Sequence, residues 1–188
     1  MSYFPGDIVK AAQDAHAKYF PLGPYASVTL AQWAIESAYG RAEPTGSNNP
    51  FGIKAVAGQQ YVAAMTREVI KGVSIEVEQR FAKYPSVEQA FEAHAHLLAT
   101  SPYYKKAQQA TSVEAYVQAM APVYATAPNY ASTILGLIHS ANLTQYDVPL
   151  ARPAPTPEEI AAKKAADEAE AKKAADEADN SDEEDTDE

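Results

Sequence analysis

The sequence predicts an α+β domain in which several helices surround one β-hairpin. Segments with apolar residues at helical spacing flank a single stretch, residues 60–81, in which apolar and polar residues alternate. The 188 residues contain no cysteine and are enough to bury a core without disulfides or thiolate metal sites. A change of composition near residue 148 separates this domain, residues 1–147, from the rest of the chain.

Two helices and a loop are expected first. Residues 6–19 form one helix, and residues 27–39 form a second in which Leu30, Trp33 and Ala34 lie on one face. The segment GRAEPTGSNNP that follows has the composition of a loop.

Residues 60–81 then change to the period of a strand. Lys71-Gly72 is suited to a tight turn between two strands. A two-residue turn places Arg67 opposite Glu76, which is a favourable cross-strand pair. It also leaves Glu68 as the one charge on a face that is otherwise apolar or neutral.

Three more helices are expected after the hairpin. Ser86 with Gln89 fits a capping box that opens one helix, and Ser112 starts another. The last helix covers residues 128–141, where Tyr130 and Ile134 share a face with later apolar residues.

The charge is distributed unevenly along the chain. Residues 1–150 carry ten Lys and Arg against eleven Asp and Glu, whereas residues 151–188 carry five against fourteen. Residues 148–158 are proline-rich and predict an extended linker, and residues 159–188 predict an acidic Ala/Lys/Glu tail that is partly helical or disordered. With no basic stripe, a nucleic-acid partner is not expected. No apolar run reaches membrane-spanning length, and the N-terminus MSYFPGDIVK does not read as a secretory signal.

Glu36 is the first candidate for chemistry. It lies near the end of the second helix, one turn after Gln32 and Trp33, and small residues follow it. Partial dehydration of such a carboxyl raises its pKa toward that of a general acid. The alternative, an ordinary exposed helix glutamate, is the commoner case for a lone glutamate.

Glu68 is the second candidate. An ionised group on an apolar sheet face is costly unless it is paired or reaches water, so Glu68 lies either at a hydrated edge or in a working site. A carboxylate on a helix and another on a small sheet meet the needs of glycoside hydrolysis, in which one protonates the leaving oxygen.

Several polar and aromatic residues are candidates for sugar binding. Asn48 and Asn49 offer amides for N-acetyl and hydroxyl groups, and Phe51 offers an apolar face; the alternative is a turn followed by a buried strand start. The segment YATAPNYA supplies Tyr124 and Tyr130, although aromatics at helical spacing more often lie in the core. The four histidines are interpreted as structural, and neither a metal site nor a cofactor is expected.

Five blocks in order carry a resemblance to a known family. They are TLAQWAIESAYGRA, NNPFGIKA, MTREVIKG, QRFAKYPSVEQAFEAHAHLL and YATAPNYASTI. Together they resemble the glucosaminidase family, glycoside hydrolase family 73, over roughly residues 5–147. The family includes flagellar muramidase-like hydrolases, autolysins and phage lysins.

The resemblance implies a lysozyme-like fold, with a mainly helical lobe and a small β-hairpin lobe flanking a groove. It implies an endo-β-N-acetylglucosaminidase that cuts peptidoglycan between N-acetylglucosamine and N-acetylmuramic acid. The family's general acid falls on Glu36, its β-lobe glutamate on Glu68, and its late tyrosines on Tyr124 and Tyr130, of which Tyr124 is favoured for the groove. The acetamido group of the substrate is an alternative nucleophile.

The sequence departs from the family pattern close to the expected groove. Ala38 and Tyr39 stand where the family commonly has Gly-Trp, and Val123 and Ala127 replace a glycine and an aspartate of the late block. Tyr39 is expected to contact substrate in place of the tryptophan. These changes affect fine specificity more than the acid itself.

Two other functions remain open at this level. One is a lytic transglycosylase or muramidase on the same fold, and the other is a non-catalytic module that binds peptidoglycan or belongs to a virion. We expect a monomer that is made in the cytoplasm and acts on the cell wall, as a phage-type lysin released through a holin or carried in the virion.

Overall fold

The structure is a computed structural model that describes residues 4–70 and 73–147, with the backbone alone for residues 67–70 and 73–74. In the described part the helices and strands are α1 Gly6–Tyr19, α2 Ala26–Glu36, β1 Tyr61–Ile70, β2 Val73–Ala82, α3 Val87–Thr100, α4 Lys105–Gln108, α5 Val113–Tyr124 and α6 Tyr130–Ser140. Short 3-10 turns cover Pro102–Tyr104 and Leu143–Tyr146. The predicted linker and tail, residues 148–188, lie outside the described residues. None of the described helices is both long and apolar enough to cross a membrane.

Helix α2 lies at the centre of the helical part. Every residue from Ala26 to Ala34 is buried, including the polar side chains of Ser27, Thr29 and Gln32. The helix packs against α1, α5, α6 and the turn Leu143–Tyr146. A helix that is enclosed on all sides belongs to the core rather than to the surface. Its carboxyl end is the part that reaches a loop, and Glu36 is its last residue.

The amino end of α2 is held by a residue from the far end of the domain. The carboxylate of Asp147 accepts hydrogen bonds from the backbone N–H of Ser27 at 2.7 Å and from its Oγ at 2.6 Å. The first turn of α2 has no acidic residue of its own. Asp147 therefore satisfies a free N–H group of the helix and supplies the negative charge that its positive end favours.

The hairpin has the predicted register. Ile70 pairs with Val73, and Arg67 pairs with Glu76, so two residues separate the strands. The prediction of the two strands and of their pairing is confirmed, whereas the turn residues Lys71 and Gly72 lie outside the described residues.

The base of the hairpin is attached to the helical part through a small apolar cluster. Ala82 and Tyr84 pack with Ala90 of α3. The loop that contains Asn48 and Asn49, called the asparagine loop below, leads into a segment that runs beside β2, where the Ala55 N–H donates to the Arg80 carbonyl at 2.9 Å. This hydrogen bond attaches the segment after the asparagine loop to the base of the hairpin.

The helix starts expected from serine residues are also confirmed. Ser86 Oγ accepts from the Gln89 N–H at 3.4 Å, and Ser112 Oγ accepts from the Ala115 N–H at 3.1 Å. The predicted helix at 128–141 corresponds to α6, and the predicted helix at 6–19 corresponds to α1.

Candidate active site

Glu36 ends helix α2 because the next residue closes the helix. Ser37 Oγ donates to the Trp33 carbonyl at 2.5 Å and accepts from the Gly40 N–H at 2.8 Å. The prediction that this helix runs to residue 39 is therefore wrong by three residues. Glu36 stands at a helix end beside a loop, as the sequence indicated.

Three consecutive residues after Ser37 have left-handed backbone conformations. The φ angles are 49° at Ala38, 61° at Tyr39 and 77° at Gly40. This conformation costs an L-residue with a Cβ roughly 1–2 kcal/mol. Gly40 avoids that strain, and an added Cβ there would lie 3.1 Å from Cζ2 of Trp33. The chain thus turns sharply against the Trp33 ring directly after Glu36.

Tyr130 makes the direct contact with the Glu36 carboxyl. Its Oη donates to Glu36 Oε1 at 2.7 Å, across 94 positions of sequence. Gln32, one turn before Glu36, donates from Nε2 to the same Tyr130 Oη at 3.2 Å. Among the described residues, no side chain or backbone group is hydrogen-bonded to Glu36 Oε2. One carboxyl oxygen is therefore held by the protein, and the other has no hydrogen-bond partner among the described residues.

The pKa of Glu36 is raised above its ordinary value. Burial of the carboxyl is the main cause, and the hydrogen bond from Tyr130, which stabilises the ionised form, offsets part of the rise. The residue as a whole is nevertheless exposed, so the dehydration of the carboxyl is only partial. A partly dehydrated carboxyl with an open side has the properties of a general acid that must reach a substrate.

A column of aromatic rings runs from Tyr130 into the domain. Tyr124 stacks on Tyr130 with ring centroids 5.6 Å apart, and His94 meets Tyr124 edge-on at 5.9 Å. Phe51 stacks on His94 at 4.1 Å and contacts Phe91 at 4.9 Å. The column connects the asparagine loop to the residue that holds Glu36. It brings together three of the predicted site residues, Phe51, Tyr124 and Tyr130.

His94 forms the middle of this column and is fully buried. Both ring nitrogens lack a hydrogen-bond partner among the described residues. Burial without a partner for the charged form lowers the pKa of His94 to about 3. The ring is therefore neutral and acts as a packing element, in agreement with the structural role predicted for the histidines.

The tyrosine that contacts Glu36 is not the one that the sequence favours. The sequence favours Tyr124 for the groove, yet Tyr130 is the residue that bonds to Glu36. Tyr124 is half-buried, and burial raises its pKa well above the ordinary value. Its contacts with Tyr130 and His94 are ring packing, which indicates support of Tyr130 rather than a direct contact with the acid.

The asparagine loop uses its amides internally. Asn49 is fully buried; its Nδ2 donates to the Ile53 and Ala82 carbonyls, both at 2.9 Å, and its Oδ1 accepts from the Ile53 N–H at 3.1 Å. Asn48 Nδ2 donates to the carbonyls of Tyr84 and Pro85 at 2.9 and 3.2 Å. The loop is thereby fastened to the base of the hairpin. These contacts favour the structural interpretation of both asparagines, and the buried ring of Phe51 fits the same interpretation.

Tyr39 packs at the start of the loop that follows Glu36. Its ring lies 5.8 Å from Phe4 and 6.1 Å from Trp33, with the Trp33 contact edge-on. The side chain is half-buried, so part of its surface stays open. Its predicted contact with substrate stays a prediction.

Glu68 lies on β1, where its backbone pairs with Ile75. The predicted register is confirmed, but the Glu68 side chain lies outside the described residues. Its role as the second carboxylate therefore stays a prediction.

Two residues of the site were not proposed for a role from the sequence. Gln32 and Ser37 are polar residues at buried positions, Gln32 on α2 and Ser37 directly after it. A buried amide needs a partner, so Gln32 on the enclosed α2 indicates a polar group nearby. The identity of that partner, Tyr130, depends on how distant segments pack.

The described fold and site define a class of protein. A mainly helical domain with a small hairpin presents the partly dehydrated carboxyl of Glu36, which a tyrosine holds through one oxygen, and a carboxyl of this kind is compatible with an acid-catalysed glycoside hydrolase. Residues 9–143 match the profile of the glucosaminidase family, described as mannosyl-glycoprotein endo-beta-N-acetylglucosaminidase. Because the match covers most of the chain, the protein belongs to this family of glycoside hydrolases.

Individual relatives agree with this assignment. A probable N-acetylmuramidase of Lactococcus lactis is 34% identical over 134 residues, which are 66% of this chain and 30% of the relative. The exo-glucosaminidase LytG of Bacillus subtilis is 32% identical over 143 residues, 72% of this chain and 50% of the relative. The chain thus spans half or less of the length of these proteins.

A solved structure extends the likeness to the fold. The catalytic domain of the autolysin Auto from Listeria monocytogenes superposes with a TM-score of 0.67 at 35% identity, over 74% of this chain and 83% of that domain. The predicted lysozyme-like fold, mainly helical with a small hairpin, is confirmed.

Proposed function

We propose that this protein hydrolyses the glycan strands of bacterial peptidoglycan, at the bond between N-acetylglucosamine and N-acetylmuramic acid, with Glu36 as the general acid. The observation that carries the proposal is the state of the Glu36 carboxyl. Its pKa is raised by burial, its Oε1 is held by Tyr130, and its Oε2 faces no protein partner in the described structure. Family membership supports the reaction class.

The chemistry begins with proton transfer to the glycosidic oxygen. Glu36, protonated on Oε2, donates that proton as the bond to the leaving sugar breaks, and Oε1 keeps its hydrogen bond from Tyr130. The carboxylate that forms is stabilised by the same bond, because a phenol donor favours the charged form. The site thus holds Glu36 in place both before and after the transfer.

The partner of Glu36 is the second part of the proposal. Glu68 on β1 either attacks the anomeric carbon, activates water, or stabilises the positive charge of the transition state. The acetamido group of the substrate is the alternative nucleophile. A thiazoline analogue of N-acetylglucosamine separates these possibilities, because it inhibits enzymes that use acetamido participation. If Glu68 attacks or activates water, removal of its carboxylate should lower the activity by a factor on the order of 10². If the acetamido group attacks, the thiazoline should inhibit the enzyme.

The substrate class rests on the relatives, of which one is named a probable N-acetylmuramidase and another an autolysin, whereas the family description refers to mannosyl glycoproteins. The relatives' names also point to two different bonds, one a muramidase and the other a glucosaminidase. We favour the glucosaminidase reaction, which agrees with the family description.

The cleaved bond is identified by the new reducing ends. Purified peptidoglycan is digested, reduced with borohydride and analysed by mass spectrometry. Reduced N-acetylglucosamine ends are expected. Reduced muramic acid ends would replace the bond assignment with a muramidase reaction, and anhydro ends would replace hydrolysis with transglycosylation. Binding to peptidoglycan without any new ends would indicate a non-catalytic module.

The biological setting is a separate proposal, and the expectation is a phage-type lysin. Expression in a bacterial host with and without a co-expressed holin tests it directly. Rapid lysis only when the holin is present is the expected result. Lysis at the same rate without a holin would contradict release by that route.

A further inference from the structure

Gln32 is a buried polar residue whose position the proposed reaction does not by itself explain. It is fully buried on α2, one turn before Glu36. Its Nε2 donates to Tyr130 Oη at 3.2 Å and lies 3.7 Å from Met120 Sδ. The phenol oxygen and the thioether sulfur can both accept hydrogen bonds, which supports placing the amide nitrogen of Gln32, rather than its oxygen, next to them.

The three side chains form a directed chain of hydrogen bonds. A phenol has one hydrogen to donate and can accept on its oxygen. Because Gln32 donates to the Tyr130 oxygen, the phenol hydrogen is left for Glu36 Oε1, which lies 2.7 Å away. An amide that donates to a phenol also polarises its O–H bond, so the donation to the carboxyl becomes stronger.

We infer that Gln32 is a positioning residue for the glycosidic cleavage, which directs the Tyr130 hydroxyl at Glu36 Oε1 and so keeps Oε2 free for the substrate. This inference rests on the proposed function, since it assigns Gln32 a part in the same site. Gln32 touches Tyr130 and not the reacting atoms, and it acts through that tyrosine.

The remaining atom of the Gln32 amide argues against a purely structural role. Its Oε1 is buried and has no hydrogen-bond partner among the described residues. An unpartnered buried carbonyl destabilises a fold, so an apolar side chain of similar length would serve packing alone better. The position is therefore suited to the contact with Tyr130 rather than to stability.

The titratable groups that face this chain are all tyrosines in the described structure. Tyr130 from α6 bonds to Glu36, Tyr124 from the end of α5 stacks on Tyr130, and Tyr104 interacts electrostatically with both. A change in the titration of Glu36 after substitution of Gln32 therefore reports on the Gln32–Tyr130–Glu36 chain.

The test replaces the amide by a side chain of the same length. In Gln32→Met the donor is lost, so the carboxylate is less stabilised; we expect the basic limb of the kcat/KM profile to move up by about half a pH unit and kcat to fall about 3- to 10-fold with little change in KM. A profile with the limb and kcat of the wild type would overturn the inference. Gln32→Leu provides a second variant if the first does not fold.

Two comparisons separate positioning from packing. Thr29→Val removes another buried polar group of α2, whose hydroxyl donates to the Tyr25 carbonyl and not to the site, and it should leave the pH profile unchanged. In a Tyr130→Phe background, Gln32→Met should have almost no further effect on kcat, because its route to Glu36 is already absent. Additive effects of the two substitutions would contradict the inference.

The pKa of Glu36 is also measurable without any turnover. An NMR titration of the side-chain carboxyl should give a higher midpoint in Gln32→Met than in the wild-type protein, by about half a unit. Inactivity of the wild type on peptidoglycan would refute the proposed function while leaving this titration as the test of the chain. An unchanged midpoint would overturn the inference even if the wild type is active.

Discussion

Tyr130, the first residue of α6, and Glu36, the last residue of α2, are joined by a hydrogen bond of 2.7 Å from the phenol to the carboxyl. The bond links the ends of two helices that are packed against each other. It holds one oxygen of the candidate acid and partly offsets the rise of its pKa. The first prediction concerns the removal of this bond.

Tyr130→Phe keeps the ring and removes the donor. The pKa of Glu36 should rise further, because the ionised form loses a hydrogen bond, and the basic limb of the activity profile should therefore move to higher pH. We also expect kcat to fall about tenfold. Measurement of kcat and KM against pH checks both effects. Tyr124→Phe is the matched comparison, and a larger loss in Tyr124→Phe than in Tyr130→Phe would contradict the assignment of the direct contact.

A second prediction concerns stability in acid. His94 has a pKa of about 3 in the folded protein and about 6.5 when unfolded, so the unfolded state gains a proton first as the pH falls. Protonation of His94 therefore leaves the free energy of unfolding unchanged above about pH 6.5 and lowers it progressively as the pH falls to about 3. At pH 5 the free energy of unfolding should have dropped by about 2 kcal/mol from this group.

His94→Phe should flatten that dependence between pH 7 and 5, as measured by urea unfolding at each pH. The substitution keeps an aromatic ring between Phe51 and Tyr124 and removes two unpartnered nitrogens. His96→Gln, at an exposed position of the same helix, should leave the wild-type slope intact. An equal slope in His94→Phe and wild type would contradict this account of His94.

A third prediction follows from the left-handed turn after Glu36. Ala38 has a φ of 49°, a conformation that glycine adopts without strain. Ala38→Gly should therefore raise the free energy of unfolding by about 1 kcal/mol. Ala141→Gly, at a position with a φ of −97°, should instead lower it by about 0.5–1 kcal/mol. Destabilisation by both substitutions in thermal unfolding would show that the strain at Ala38 is negligible.

A fourth prediction concerns the cap of α2. Asp147→Ala leaves the Ser27 N–H and hydroxyl without their acceptor at a part-buried position, so the free energy of unfolding should fall by about 1–2 kcal/mol. Asp14→Ala removes an exposed pair with Lys10 and should cost well under 1 kcal/mol. Equal effects of the two substitutions in denaturant unfolding would contradict the capping role.

The sequence predicts most of the fold because its patterns are local. The alternation in residues 60–81 and the two-residue turn determine the register of the hairpin, and serine residues mark two helix starts. The end of α2 differs from the prediction because Ala38 and Tyr39 have no intrinsic tendency toward left-handed conformations. Ser37 and the close contact of Gly40 with Trp33 accompany that turn in the folded protein.

The candidate site was only partly predictable for a related reason. Glu36 stands out through its position at a helix end, but the choice between Tyr124 and Tyr130 depends on the packing of α2 with α6, which no local pattern reveals. Asn49 is a residue type that commonly binds sugars, but its side chain is hydrogen-bonded to its own loop and to β2. The same type of polar residue in a loop can stabilise the loop or bind a substrate, so the residue type does not distinguish the two roles. The burial of the side chain in the folded protein distinguishes them.

The most direct test of the account compares the wild-type protein with Glu36→Gln on purified peptidoglycan, by the rate at which new reducing ends appear. Glutamine keeps the size of the side chain and an acceptor for Tyr130 but has no proton to transfer. We predict that the rate falls on the order of 10²- to 10⁴-fold, while Glu92→Gln, at an exposed position paired with Lys18, stays near the wild-type rate. A folded Glu36→Gln protein that retains most of the wild-type rate would contradict the assignment of Glu36 as the general acid.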